Sequence, residues 1–399
     1  MTGLERQWFH GVTRREALRN VAAFLAGSPL LSGQQDPVRE HGRAPAMSEL
    51  ETPFDFEPVV HARLSRQAYD YTAYGVEEEF TLRRNRAAFD WVDLVPRGTV
   101  DTSEVRTETE ILGVRMAYPI LIAPTAVHAQ LHPDGEPATF RGAALASNTP
   151  MIVSNNASMP VDRIAAAAEN PMLWQLYPRQ DPYTNQEFIE TALENGARAI
   201  VVTIDQQASV YERGLRYRNF ARQGTTPRRR VRPDYVPPSN PYRVSPNRLW
   251  YSPAMLEELR KFIKVPMLVK GVLTGDDAVR CLDLGADGII VSNHGGRAMD
   301  YSPSTVEVLP EVVDAVKGRA PVLIDSGFRR GADVLKALAM GASAVCLGRV
   351  PRWGLAAYGT PGVQRILEIV QRELVMAMAF TGRPILASID RTLVRTDFP

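Results

Sequence analysis

Eight short apolar runs, each closed by a turn and most followed by helical periodicity, constrain the fold of this chain more than any other feature. They are Ile120 to Pro124, Met151 to Ser154, Met172 to Tyr177, Ala199 to Asp205, Pro266 to Lys270, Gly288 to Asn293, Pro321 to Ser326 and Ala344 to Arg349. Helix-like segments such as Asn185 to Glu194, Asp276 to Leu284 and Val306 to Val316 lie between them. Three helix-to-strand joints are nearly one phrase: Gly196-Ala197-Arg198-Ala199, Gly285-Ala286-Asp287-Gly288 and Gly341-Ala342-Ser343-Ala344. Glycine suits the left-handed residue that ends a helix, and the repetition marks equivalent structural units. An open doubly wound sheet would alternate in the same way. Eight units without a G-x-G-x-x-G after the first strand favour a closed α/β architecture, the (β/α)8 TIM barrel.

The barrel domain is expected over residues 50–390, after a leader over residues 1–49 and before a tail over residues 391–399. Within the domain, a helical extension runs to about Arg97, an extended stretch continues to Gly113, and residues 206–250 form a long connection after the fourth strand. An insertion of that size in a compact domain reads as a lid over the barrel mouth. Its Arg228-Arg229-Arg230 run is a solvated basic loop or a contact for a membrane or partner. In the leader, Thr13-Arg14-Arg15-Glu16-Ala17-Leu18-Arg19 precedes the moderately apolar Val21 to Leu31 and resembles a twin-arginine export signal. Two readings stand: export to the periplasm, or a basic amphipathic leader on a cytoplasmic protein. No run of 18 apolar residues is long enough to span a bilayer.

A net charge of +1 gives no general field to attract nucleic acid or anionic lipid, so any anion site must be local. Cys281 and Cys346 have neither metal-ligand nor disulfide spacing and read as packing residues. In a barrel of this class the reactive groups stand at the C-terminal strand ends, with phosphate commonly held after strands seven and eight. Those ends carry Thr125, Ser154, Gln175 with Tyr177, Thr203 with Asp205, Lys270, Ser292 with His294, Asp325 and Arg349. So many polar groups closing apolar strands is more than a structural barrel needs. The run Asp325-Ser326-Gly327-Phe328-Arg329-Arg330-Gly331 together with Gly348-Arg349 makes a cradle for one phosphate, through close backbone N–H groups and a forked charge. Lys270 can place a cation beside a ring that becomes anionic on reduction, and Gln175 and Thr203 can bond its edge. In Ser292-Asn293-His294-Gly295-Gly296-Arg297, the histidine can take a hydroxyl proton while the arginine pairs with a carboxylate. Asp205 can orient that imidazole.

At these residues the sequence resembles the FMN-dependent L-2-hydroxy acid oxidase and dehydrogenase family, which includes glycolate oxidase, lactate oxidase and the flavin domain of flavocytochrome b2. The resemblance runs from about residue 50 to 390. It is carried by Tyr69-Asp70-Tyr71 with Gly75, Ile122-Ala123-Pro124-Thr125-Ala126, His132-Pro133-Asp134-Gly135-Glu136, Gln175-Leu176-Tyr177, Val269-Lys270-Gly271, the His294 motif and the two phosphate loops. It implies FMN as cofactor, contacted by Ala123, Pro124, Thr125, Ala126, Ser154, Gln175, Thr203, Lys270 and Ser292. By the same resemblance, Asp325, Ser326, Gly327, Arg329, Gly348 and Arg349 surround the phosphate. His294 becomes the base, with Asp205 and Tyr177 as catalytic partners. Tyr71, Tyr177, Arg213, His294 and Arg297 would meet the substrate, a small L-2-hydroxy acid of lactate type. Oxygen, a quinone or another carrier would accept the electrons. A homo-oligomer, tetramer or octamer, is also implied.

Two departures bear on the substrate. The family's loop arginine, seven residues after the strand-four aspartate, falls here on Glu212, with Arg213 next to it. Where glycolate oxidase has a tryptophan two residues after the strand-two serine, this chain has Asn156, which predicts a more open or more polar pocket. Two other readings remain at this point: an FMN barrel with isomerase chemistry or a modified-peptide substrate, and a non-catalytic flavin redox sensor. The pair His294 and Arg297 argues against both.

Overall fold

A computed structural model describes residues 45–179, 181–205 and 252–399, and its main compact unit spans Met47–Pro399. The N-terminal extension opens with α1 (Pro53–Arg63), α2 (Arg66–Ala73) and α3 (Phe80–Ala87). Short side chains start the first two of these helices as capping chemistry dictates: the Asp55 carboxylate accepts the Thr52 N–H at 2.8 Å, and Ser65 Oγ accepts the Ala68 N–H at 3.3 Å.

The helical extension stops sooner than expected, at Trp91, where β1 (Val92–Leu94) begins. That strand pairs antiparallel with β12 (Val394–Thr396), which lies within the expected C-terminal tail. The cause is tertiary, since neither strand has a local partner. The hairpin of β2 (Thr109–Ile111) and β3 (Val114–Met116) follows.

Eight parallel strands then close on themselves: β4 (Ile120–Ile122), β5 (Met151–Ser154), β6 (Met172–Leu176), β7 (Ala197–Thr203), β8 (Met267–Val272), β9 (Gly288–Val291), β10 (Val322–Ile324) and β11 (Ala344–Leu347). This is the expected (β/α)8 barrel, with strand boundaries shifted by at most two residues and those of β5 as expected. Helices α4 (Gly135–Leu145), α5 (Val161–Ala165), α6 (Pro182–Glu194), α7 (Ala254–Phe262), α8 (Gly275–Asp283), α9 (Thr305–Val316), α10 (Gly331–Ala339) and α11 (Arg349–Phe380) complete the units, the last broken at Tyr358 and Gly359. Among the described residues no helix is long and apolar enough to cross a membrane. The leader, with its twin-arginine resemblance, and the connection over 206–250, with Glu212, Arg213 and the Arg228 run, lie outside the described residues.

Side chains on alternate positions fill the barrel: Leu121, Ile152, Leu173, Val201, Leu268, Ile290, Leu323 and Cys346 form one buried cluster. Val114 and Met116 from the hairpin join it. Cys346 is thus a packing residue, and Cys281 is buried as well. Strand side chains alternate with period two, so the next inward position above each cluster member is fixed. Those positions are Ala123, Ser154, Gln175, Thr203, Lys270, Ser292, Asp325 and Gly348. An apolar core therefore ends in a layer that is polar on six of the eight strands, with Ala123 and Gly348 on the other two.

Candidate active site

Register puts the polar layer into pairs. Ser154 lies beside Gln175, and Thr203 beside Lys270, across adjacent strands. Ser154 Oγ donates to Gln175 Oε1 at 3.0 Å, which leaves the amide nitrogen turned elsewhere. Gln175 Nε2 and Thr203 Oγ1 are buried and have no hydrogen-bond partner among the described residues. Buried polar atoms of this kind are uncommon, because each costs about 1–3 kcal/mol unless something pairs with it. The edge of a polar ring system would supply the missing partners.

Lys270 is the centre of a buried charge network. Its Nζ donates to Ser292 Oγ at 2.7 Å and lies 3.3 Å from Asp325 Oδ2 and 3.8 Å from Asp205 Oδ2. Burial alone would lower the pKa of the ammonium, but the two carboxylates, Asp205 first, more than reverse this and hold it above its ordinary value. Asp205 is held below the usual carboxylate range in turn: burial works against this, and Lys270 and then His294 overcome it. Gly271 makes the arrangement sterically possible. Its φ is +109°, and a Cβ there would come within 2.5 Å of the Asp205 Cβ.

His294 follows β9 in a left-handed conformation, φ +60°, and Gly295 and Gly296 continue it at +69° and +75°. Only glycine fits after the histidine, since a Cβ at 295 would approach Arg349 Nη1 to 2.8 Å and one at 296 would approach the Leu82 Cα to 2.7 Å. The His294 Nδ1 is 2.7 Å from Asp205 Oδ1 and its Nε2 is 3.2 Å from the Tyr177 hydroxyl. An ionised carboxylate only accepts hydrogen bonds, so Nδ1 carries the hydrogen in the neutral ring and Nε2 presents a lone pair. That is the geometry of a proton acceptor with its tautomer fixed.

The extension brings Tyr71 to the same place. Arg297 stacks over the Tyr71 ring, with Cζ 4.8 Å from the centroid, and donates to the carbonyls of Tyr71 and Tyr74. Arg349 donates to the Thr72, Gly295 and Tyr74 carbonyls at 2.9, 2.9 and 3.2 Å. Burial, then repulsion from Arg329 and Arg297, holds Arg349 well below its ordinary pKa. So tight a group of guanidinium ions calls for an anion, as a phosphate cradle does. Asp325, expected at the phosphate loop, turns its carboxylate to Lys270 and accepts from Ser326 Oγ at 2.7 Å. The neighbouring Gly327 lies at φ +86°, where a Cβ would collide with the Asn85 carbonyl. Gly327→Ala is expected to cost more than about 1 kcal/mol of stability in urea unfolding, and an unchanged midpoint would contradict this close approach.

Several site-forming residues carried no recognisable signal. Asn85 and Asn293 exchange amide hydrogen bonds at 2.8 and 2.7 Å, tying α3 to the His294 loop. Asp300 accepts the N–H groups of Glu78, Phe80 and Thr81 and so anchors the start of that helix. Arg352, 3% exposed, donates to Thr72 Oγ1 and to the Ala126 carbonyl. Each joins segments far apart in the chain, which periodicity cannot reveal.

A base with a fixed tautomer, two buried polar atoms that lack partners among the described residues and an arginine cluster suited to an anion fit a flavin-dependent oxidoreductase. The model of the FMN-dependent dehydrogenase family matches residues 60–396. The chain belongs to that family, and FMN is its cofactor. It is 38% identical over 359 residues to a peroxisomal (S)-2-hydroxyacid oxidase of Arabidopsis thaliana, covering 88% of this chain and 98% of that protein. It is 38% identical to a 2-hydroxyacid oxidase of Dictyostelium discoideum, covering 83% and 86%. Among solved structures, a mandelate oxidase bound to (S)-2-phenylpropionate superposes with a TM-score of 0.77 at 33% identity, over 88% of this chain and 99% of that one. A putative lactate oxidase of Pediococcus acidilactici gives 0.78 at 29% identity, over 88% and 96%.

Proposed function

We propose that the protein oxidises a small L-2-hydroxy acid, of lactate type, to the 2-oxo acid, and that oxygen reoxidises the cofactor. The observation that carries this reading is the imidazole of His294, held at Nδ1 by Asp205 with Nε2 turned to Tyr177 and Arg297 three residues on. The Arg297 guanidinium and Tyr71 hold the substrate carboxylate, which sets the 2-hydroxyl towards His294 and Tyr177. His294 Nε2 takes the hydroxyl proton, and Asp205 stabilises the imidazolium that results. FMN supplies the two-electron acceptor for the hydrogen on C2. Gln175, Thr203 and Ser154 would hold the ring edge, and Lys270 would supply the positive charge that favours its reduced form. The relatives named as oxidases support oxygen as acceptor.

Asn156, two residues beyond Ser154, supports a pocket wider than glycolate needs. Anaerobic mixing with glycolate, L-lactate, longer aliphatic 2-hydroxy acids and L-mandelate tests the substrate class. L-Lactate or a near homologue is expected to bleach the flavin fastest, and no bleaching by any of them would overturn the reading. Arg297→Lys is expected to raise KM and lower kcat, with kcat/KM falling at least about tenfold, because a point charge replaces a fork in a charged hydrogen bond worth roughly 1.5–3 kcal/mol. A kcat/KM within twofold of the parent would remove Arg297 from carboxylate binding.

A further inference from the structure

His128 is fully buried, and the scheme above gives it no task. It opens the short turn His128–Gln130 just beyond β4, three residues after Thr125. Its Nε2 is 2.7 Å from Thr125 Oγ1, and its Nδ1 is 2.8 Å from Oγ1 of Thr139, a buried residue of α4. Glu136 fixes the turn in place, accepting the His128 N–H at 3.0 Å and the Ser158 N–H and hydroxyl at 2.8 and 2.7 Å. Burial pushes the imidazole down to about 4, with Glu136 opposing and Arg352 reinforcing the shift, so the ring is neutral at physiological pH.

A neutral imidazole carries one N–H, so one of the two threonines donates to it and the other accepts. Were the hydrogen on Nδ1, Thr139 would accept it, and the Thr139 hydroxyl hydrogen would be buried with no acceptor among the described residues. With the hydrogen on Nε2, Thr139 donates to Nδ1 and Thr125 accepts from Nε2. The one hydrogen left over is then that of the Thr125 hydroxyl. Thr125 is only partly buried, and it borders open space: a Cβ built on Gly348 would meet nothing nearer than Thr125 Cγ2, at 4.0 Å. An unpaired buried hydroxyl costs about 1–3 kcal/mol, a factor of roughly five or more in favour of the Nε2–H tautomer.

We infer that His128 is a positioning residue, whose Nε2–H tautomer, set by Thr139, turns the Thr125 hydroxyl into a hydrogen-bond donor towards the cofactor at the barrel mouth. The inference rests on the reading that Thr125 meets FMN. A donor there stabilises the charge that builds on the ring during reduction, so the reduction equilibrium of the bound flavin reports it.

The test compares the ratio of reduced to oxidised flavin at a fixed solution potential, set with a redox dye, in holoenzyme carrying equal FMN. Thr125→Val is expected to lower the ratio about tenfold, the effect of losing one hydrogen bond to a charged acceptor. His128→Leu should lower it by at least about threefold, the double variant should match Thr125→Val, and His128→Gln, whose amide can still donate to Thr125, should return within about twofold of the parent. An unchanged ratio in His128→Leu, or effects that simply add in the double variant, overturns the role of His128. An unchanged ratio in Thr125→Val instead overturns the underlying placement of Thr125, and the inference with it. Should His128→Leu fail to fold, the near-isosteric Thr139→Val removes the donor to Nδ1 and is expected to shift the ratio the same way, and no shift in that variant overturns the inference.

Discussion

Replacing His294 with glutamine is expected to leave FMN bound and to slow its reduction by the best 2-hydroxy acid by at least about a hundredfold. Glutamine matches the reach of the imidazole and can still meet Asp205 and Tyr177, which lie 2.7 and 3.2 Å from the ring nitrogens. It cannot take a proton at neutral pH. General-base catalysis typically contributes about 10²- to 10⁴-fold, so the chemical step alone should suffer. The arginine cluster at Arg329 and Arg349 is untouched, and cofactor content should match the parent. Anaerobic stopped-flow reduction decides the matter: a rate within about threefold of the parent would mean that some other group takes the proton.

Lys270→Met should be damaging in two separable ways. The ammonium sits between the Asp325 and Asp205 carboxylates at 3.3 and 3.8 Å and is only 3% exposed, so its loss strands two largely buried anions. Breaking a buried pair from one side typically costs about 3–5 kcal/mol, which urea unfolding of the apoprotein would read. Reduction of the flavin should also slow by about 10²- to 10³-fold, as when one preorganised electrostatic donor is lost. Full stability and an unchanged reduction rate would together remove Lys270 from the site.

The same network sets a pH dependence. Asp205 has its pKa depressed in the fold, so its contribution is present above the unfolded carboxylate value near 3.9 and is lost as pH falls through the lower folded value. Lys270 has its pKa raised, so its contribution is complete below the unfolded value near 10.4 and is lost as pH rises through the higher folded value. Between those limits the parent should hold a plateau to which both groups contribute.

Much of the barrel and its strand-end layer was legible because both follow from period-two alternation. Once Leu268 and Ile290 are inward, Lys270 and Ser292 must be inward too, one step nearer the mouth. Glycine signatures were legible for a similar local reason. The Gly295-Gly296 pair announces a backbone that bends where side chains would collide, and the structure shows with what. Tyr71 was different, because nothing in the local sequence separates it from Tyr69 or Tyr74, and only family resemblance singled it out.

The sequence by itself determined the eight-unit barrel, the polar layer at its strand ends and the chemistry that layer can support. Tertiary structure alone decided that β1 pairs with β12, that Asp325 turns to Lys270, and that Asn85, Asp300 and Arg352 tie the helical extension to the site. It also decided that His128 stands behind Thr125 with Thr139 on its other side. The physical reason is range. Alternation and turn chemistry are set by neighbours a few residues away, whereas a buried hydrogen bond or ion pair is specified only when the closed barrel brings distant segments together and leaves polar atoms that must find partners there.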